Sequence, residues 1–126
     1  MKLQFLADGA QDCPLIRLYE FQTTDAARLK ALFDSLADGS RTEVSLVEEL
    51  EVESIDGCQL DLRVGARDVG VVQIGSLSFE CVLTATRWFD VASLTEPFCK
   101  AAEANTFQWL NEDGPISLLL SASGAW

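Results

Sequence analysis

The sequence contains no histidine. That absence removes the commonest general base and the commonest metal ligand. A serine or cysteine nucleophile partnered by histidine is therefore excluded within one chain. Four cysteines are present, Cys13, Cys58, Cys81 and Cys99, but they are widely spaced, form no CxxC pair and have no histidine to complete a zinc set. They read as reduced thiols of a cytoplasmic protein. No phosphate loop, dinucleotide fingerprint, GxSxG elbow or HExxH helix occurs. The residues thus call for no cofactor, no metal and no catalysis.

Basic residues are also scarce, 9 Lys+Arg against 20 Asp+Glu, which leaves a formal net charge of −11. A field of that sign repels phosphate backbones and anionic lipid headgroups, so it excludes nucleic acid and membrane surfaces as partners. It favours basic partners or cations. No stretch approaches the ~18 apolar residues that a membrane helix needs. The opening segment MKLQFLADG has too short an apolar run for a signal peptide.

What is present is an ordinary globular composition, 48% hydrophobic and 23% charged over 126 residues. A chain of that size buries roughly two-thirds of its unfolded surface, enough for one domain over residues 1–126. Its most acidic stretch is TEVSLVEELEVESID, residues 42–56. Val44, Leu46, Leu50 and Val52 share one parity there, while Glu43, Ser45, Glu49, Glu51 and Glu53 share the other. Period two predicts a half-buried strand with one face in water. Glu48 breaks the pattern, because it falls between Leu46 and Leu50 on the parity that faces the core. A carboxyl held there would have a raised pKa and could act as an acid or base.

Loop chemistry then predicts a four-stranded antiparallel meander over about 42–84. A three-residue loop Ile55–Gly57 pairs Val52 with Leu60 and Leu50 with Leu62, and sets Glu51 beside Asp61. Those two carboxylates are the candidate pair for a hard cation, although the spacing of Asp56-Gly57 and Asp113-Gly114 lacks the oxygen ligands of a dedicated metal loop. A second loop at Asp68–Gly70 pairs Val64 with Ile74, and a two-residue turn Gly75-Ser76 pairs Val72 with Phe79.

Around the meander, short strands are expected at 2–6 and 15–22, the second buried on both faces. Leu29, Leu32, Phe33 and Leu36 recur at helical spacing and predict a helix over 24–38, with Thr24 as its cap and Gly39 past its end. A second helix is expected over about 90–103, with Val91, Leu94, Phe98 and Ala101 on one stripe and a kink at Pro97. A closing hairpin through Asn111–Gly114 sets Trp109 opposite Ile116 and Phe107 opposite Leu118. The fold class is α+β, an antiparallel sheet with two helices packed on it.

The order of helix, three or four antiparallel strands, helix and two strands, over about residues 24–121 of a small acidic chain, resembles the secretion chaperones that escort type III effectors. The chain is also similar in size and charge to acidic immunity proteins that neutralise basic toxins. Both resemblances imply a protein that binds another protein.

The residues point the same way. The outward carboxylates Glu43, Glu49, Glu51 and Glu53 predict an interaction module that binds a basic protein partner and has no catalytic activity. The alternatives are a small-molecule binder or hydrolase using Glu48 in a pocket between sheet and helix, and a structural domain that self-associates. Cys58 and Cys81 fall on inward parities as small hydrophobes, and Cys13, before Pro14, is the reachable thiol. Trp88, Phe89, Trp109 and Trp126 form either an aromatic core beneath the second helix or an exposed partner surface. Trp126 folds back on the core, joins an interface, or stands at a boundary that is not a natural end.

Overall fold

A computed structural model of the chain describes residues 1–100 and 106–126. Its strands are β1 (Lys2–Leu6), β2 (Leu15–Tyr19), β3 (Glu43–Ser45), β4 (Glu53–Ser54), β5 (Gln59–Val64), β6 (Gly70–Gln73), β7 (Ser78–Leu83), β8 (Phe107–Asn111) and β9 (Ser117–Ser121). Its α-helices, among the described residues, are α1 (Thr23–Ala37), α2 (Leu46–Leu50) and α3 (Ala85–Thr95). The fold is α+β, with two mixed sheets ordered β4-β1-β2-β9-β8 and β3-β5-β7-β6.

The expected meander does not form. The segment meant to be one long strand is β3, then α2, then β4, and β4 joins the other sheet in parallel beside β1. Leu46 and Leu50 lie four residues apart, so their spacing serves a helical face as well as a strand face. Glu48 and Glu49 are good helix formers and Ser45-x-x-Glu48 is a helix-start pattern, although the Ser45 side chain makes no cap hydrogen bond. The turn expected at Ile55–Gly57 is real, with Cys58 N–H donating to the Ile55 carbonyl at 3.1 Å. It carries the chain from one sheet to the other and does not close a hairpin. Val52 therefore never meets Leu60, and Val44 faces Leu62 across the β3–β5 ladder.

Farther on, β5 lies parallel to β7, with β6 outside them, so Val64 faces Leu83 and not Ile74. The β6–β7 hairpin forms one residue out of the expected register: Val72 faces Glu80, and Val71 faces Cys81 in the core. Adjacent apolar residues of both parities carry no information about which one turns inward.

The first N-terminal strand fills its expected range; the second starts where expected but ends at Tyr19, three residues early, and its Leu15, Ile16, Leu18 and Tyr19 are buried on both faces. Helix α1 fills nearly its expected range, starting one residue earlier and buried through Ala26, Leu29, Phe33 and Leu36. Asp25 Oδ2 accepts from the Gln22 backbone N–H at 3.0 Å, so the cap lies at Gln22 and not at Thr24. Gly39 follows with φ +80°, as a left-handed C-terminal stop requires. The second long helix starts five residues before its expected position, because Thr84 caps it through Arg87 N–H at 3.3 Å. Pro97 sits in a 3-10 turn over Glu96–Cys99. Residues 101–103 of the expected helix lie outside the described residues. The closing hairpin forms, but its turn is longer than expected: Asn111 already faces Leu118, and after a bulge that takes up one residue Trp109 lies opposite Leu119 and Phe107 opposite Ser121. The element order that carried the likeness to secretion chaperones is interrupted by α2, and the strands between α1 and α3 are not all antiparallel, since β5 and β7 pair in parallel.

One face of the second sheet packs on α1 and α3. Trp88 is fully buried there, stacked on Phe33 with centroids 5.6 Å apart, and its Nε1 donates to the Arg63 carbonyl at 3.1 Å. Phe89 points outward at 63% exposure, so the aromatic group divides between core and surface. Phe5 on β1 meets Phe79 on β7 at 4.6 Å, joining the cores of the two sheets. The sheets also touch where Val71, on the edge strand β6, bridges Ile116 just before β9. Gly70, at φ +87°, lies so near Gly114 that a Cβ on it would strike the Gly114 backbone. Trp126 folds back, and its Nε1 donates to Asp12 Oδ2 at 3.0 Å.

Candidate functional site

The second sheet leaves its other face in water, and β3 and β5 populate that face by alternation. Glu43 and Ser45 point outward opposite Arg63 and Asp61, while Val44 and Leu62 between them are buried. At Leu46 the chain turns into α2, which the buried Leu46 side chain anchors to the core. The short helix lifts Glu48 and Glu49 beside the sheet face. Between helix and strands lies an open cavity of about 400 Å³, lined by Glu43, Ser45, Glu48 and Glu49 with Arg41, Gln59 and Asp61.

Four carboxylates meet one guanidinium in this cavity. Arg41 Nη2 sits 2.7 Å from Glu49 Oε1, and that hydrogen bond holds the Glu49 carboxyl below the usual carboxylate range. Arg28 Nη2 donates to the Glu49 backbone carbonyl at 3.2 Å and fixes the same helix from the α1 side. Glu43, Glu48 and Asp61 are in no ion pair among the described residues. The base nearest in register, Arg63, is paired with Glu80 on β7. Three carboxylates thus stay unneutralised around one cavity, each raising the local negative potential.

Of the residues singled out from sequence, Glu43, Glu48 and Glu49 come together here. Glu51 and Glu53 do not. Glu51 ends α2 at φ +53°, and Glu53 starts β4 in the other sheet, opposite Lys2. Glu48 is solvent-exposed on α2, not turned toward the core, because a helix replaces the strand whose parity pointed it inward. Asp61 faces Ser45 and not Glu51, so the expected cation pair is absent. Among the described residues no three cysteine, aspartate or glutamate side chains converge closely enough to hold a metal ion. Asp61 was legible as an outward residue of a strand, but its pairing to Ser45 on β3 depended on finding α2; Gln59 was not singled out from the sequence.

A second, smaller cavity of about 230 Å³ lies between α3 and the β8–β9 turn, lined by Arg87, Asp90 and Leu94 on the helix and by residues 109–113. Arg87 grips the Asp113 carboxylate with two nitrogens, Nη2 at 2.8 Å and Nε at 3.1 Å. Asn111 is buried, and its Nδ2 donates to Asp113 Oδ2 at 2.9 Å. Burial pushes the Asp113 carboxyl upward, but the hydrogen bonds from Asn111 and Arg87 outweigh it and hold the group below its ordinary range.

All four cysteines are free thiols. Burial pushes the Cys58 thiol up to about 11 and raises Cys81 further. No helix among the described residues is long and apolar enough to cross a membrane. No family model matches the sequence, no curated protein matches it, and no solved structure matches the fold.

Proposed function

We propose that the protein is an interaction module that binds a basic protein partner through the acidic cavity between α2 and the outer face of β3 and β5. The observation that carries this reading is the convergence of Glu43, Glu48, Glu49 and Asp61 on one cavity, where among the described residues only Glu49 is neutralised by an ion pair. Three elements contribute those carboxylates, so the charge is concentrated by the fold and not merely by composition. A concave acidic surface focuses its field, steers a cationic partner and makes the encounter salt-dependent. Arg41 on Glu49 shows the geometry in miniature, a guanidinium seated on the rim. An arginine- or lysine-rich loop or helix face of the partner would fill the rest. Nothing in this reading requires catalysis, and the setting it fits is the cytoplasm.

Retention of partners from host lysate by the wild-type protein, at low and raised salt, tests the proposal against two charge-reversed variants. The first carries Glu43→Lys, Glu48→Lys and Asp61→Lys; the second carries Glu51→Lys and Glu53→Lys. A basic protein that binds wild type, elutes with salt, survives the second variant and is lost with the first establishes the cavity. Equal loss in both variants would mean that net charge alone drives retention, and the site assignment would fail.

A further inference from the structure

The first sheet ends on β8, and among the described residues no strand lies beyond it. The direction of its backbone groups follows from two hydrogen bonds of its neighbour. Ala122 N–H donates to the Thr106 carbonyl at 3.0 Å, and Ser117 N–H donates to the Pro14 carbonyl at 3.3 Å on the β2 side. Even-numbered residues of β9 therefore bond toward β8, and odd-numbered ones bond toward β2. Thr106 and Gln108 spend their backbone groups on β9 by the antiparallel alternation, and Phe107 and Trp109 turn theirs outward. The Trp109 carbonyl is met by its neighbour's Gln108 Nε2 at 3.0 Å, which a stronger ladder bond can displace. Phe107 also shows 43% of its surface, a large exposed apolar side chain on an open edge.

The smaller cavity opens beside that edge. Leu94, Trp109 and Leu110 give it an apolar component, and Asp90 and Glu112 give it acid. Arg87 is already committed to Asp113, and neither Asp90 nor Glu112 is in an ion pair among the described residues. The net charge of the lining is negative, and its size suits one long side chain. An aliphatic stem ending in a cation is the side chain that such a lining complements.

We propose that β8 takes up an extended basic segment of a partner protein as a sixth strand of the first sheet, with a lysine or arginine of that segment entering the cavity between α3 and the β8–β9 turn. Main-chain bonds to Phe107 and Trp109 supply affinity, and the acidic cavity selects the cationic side chain. A charge of −11 on the whole chain works against a second copy of β8 as the occupant and for a cationic strand. This surface is separate from the cavity beside α2 and stands without it.

A short synthetic peptide of alternating lysine and valine is the probe. Its binding to the full chain is followed by fluorescence polarisation and by hydrogen exchange at the amides of Phe107 and Trp109. Two control peptides accompany it, one with glutamate for lysine and one N-methylated on alternate residues, which keeps the charge but removes the strand donors. The expected result is binding by the lysine peptide with new protection at both amides. The N-methylated and glutamate peptides should bind at least about tenfold more weakly, as should the lysine peptide against Asp90→Lys with Glu112→Lys. Glu48→Lys with Asp61→Lys should leave this binding unchanged. Equal binding of the N-methylated peptide, absence of protection at Phe107 and Trp109, or loss only with the Glu48 and Asp61 pair would overturn the proposal.

Discussion

Arg41 Nη2 lies 2.7 Å from Glu49 Oε1 and ties the segment after α1 to the helix that carries the acidic cavity. The hydrogen bond raises the Arg41 pKa and lowers that of Glu49. A carboxyl whose folded pKa is depressed contributes stability above its unfolded value and loses it as pH falls through the folded value. Arg41→Gln should therefore return Glu49 upward toward the ordinary carboxylate range, read from its side-chain carbon shift in an NMR titration. The small stability difference from wild type should be present at neutral pH, vanish in acid and shrink with salt, because the pair is exposed. A Glu49 titration unmoved by the substitution would show that the pair does not persist in solution.

How much of this was legible in the sequence depends on which interactions set each element. Helix α1 was readable because its own periodicity fixes it, through Leu29, Phe33 and Leu36, and β2 because a short apolar run after a turn signal reads as a strand buried on both faces. The stretch around Glu48 was not, because apolar residues four apart satisfy strand and helix alike. Once α2 is misread as strand, every register built from it shifts, and Glu51 and Glu53 are placed on a face they do not share. The parallel β5–β7 pair was beyond local reading for a different reason. Loops such as Asp68–Gly70 signal that the chain turns, but not which earlier strand it returns to. That choice belongs to the burial of Leu60, Leu62, Phe79 and Cys81 in one non-local core, where Phe79 meets Phe5 of β1. The acidity of the site was legible from composition; its shape came from non-local pairing.

Gly70 and Gly114 mark the point where the two sheets meet. Gly70 has φ +87°, and a Cβ there also runs into Gly114, while a Cβ on Gly114 would lie 2.8 Å from the Val71 carbonyl oxygen. Gly70→Ala should cost about 1–3 kcal/mol from the backbone conformation alone, with the clash added. Gly114→Ala should destabilise through the clash. Since both substitutions spoil one contact, the double variant should lose less than the sum in urea unfolding. Strict additivity would show that the two residues do not share the contact.

The thiols should react in an order set by burial. Cys58 and Cys81 are fully buried with raised pKa values, Cys99 is half-buried with its thiol pushed up by burial, and Cys13 is half-buried in the loop before Pro14. Because the thiolate is the attacking species, alkylation of the native protein should reach Cys13 and Cys99 and spare Cys58 and Cys81 until it unfolds. Peptide mapping after timed iodoacetamide treatment, with and without urea, checks this. Rapid modification of Cys81 in the native state would contradict the burial of the inward face of β7.

The indole of Trp88 fixes α3 in two directions, stacking on Phe33 of α1 and donating to the Arg63 carbonyl of β5 at 3.1 Å. Trp88→Phe keeps an aromatic ring against Phe33 and removes both the donor and part of the ring volume. The lost hydrogen bond contributes about 1 kcal/mol and the incompletely refilled space adds a comparable amount, so the expected loss is about 1–3 kcal/mol. Trp88→Ala empties the site and should cost about 3–5 kcal/mol. Both are measured by urea unfolding, with the slope against urea unchanged if only the native packing is altered. The outward side chain of Arg63 is paired with Glu80 on the face that also carries Asp61. Slackening the Trp88 anchor should therefore be felt on the functional face, as faster exchange of β5 amides beside the acidic cavity. If Trp88→Phe loses the expected stability but leaves those amides as protected as before, the helix stabilises the sheet without positioning the site.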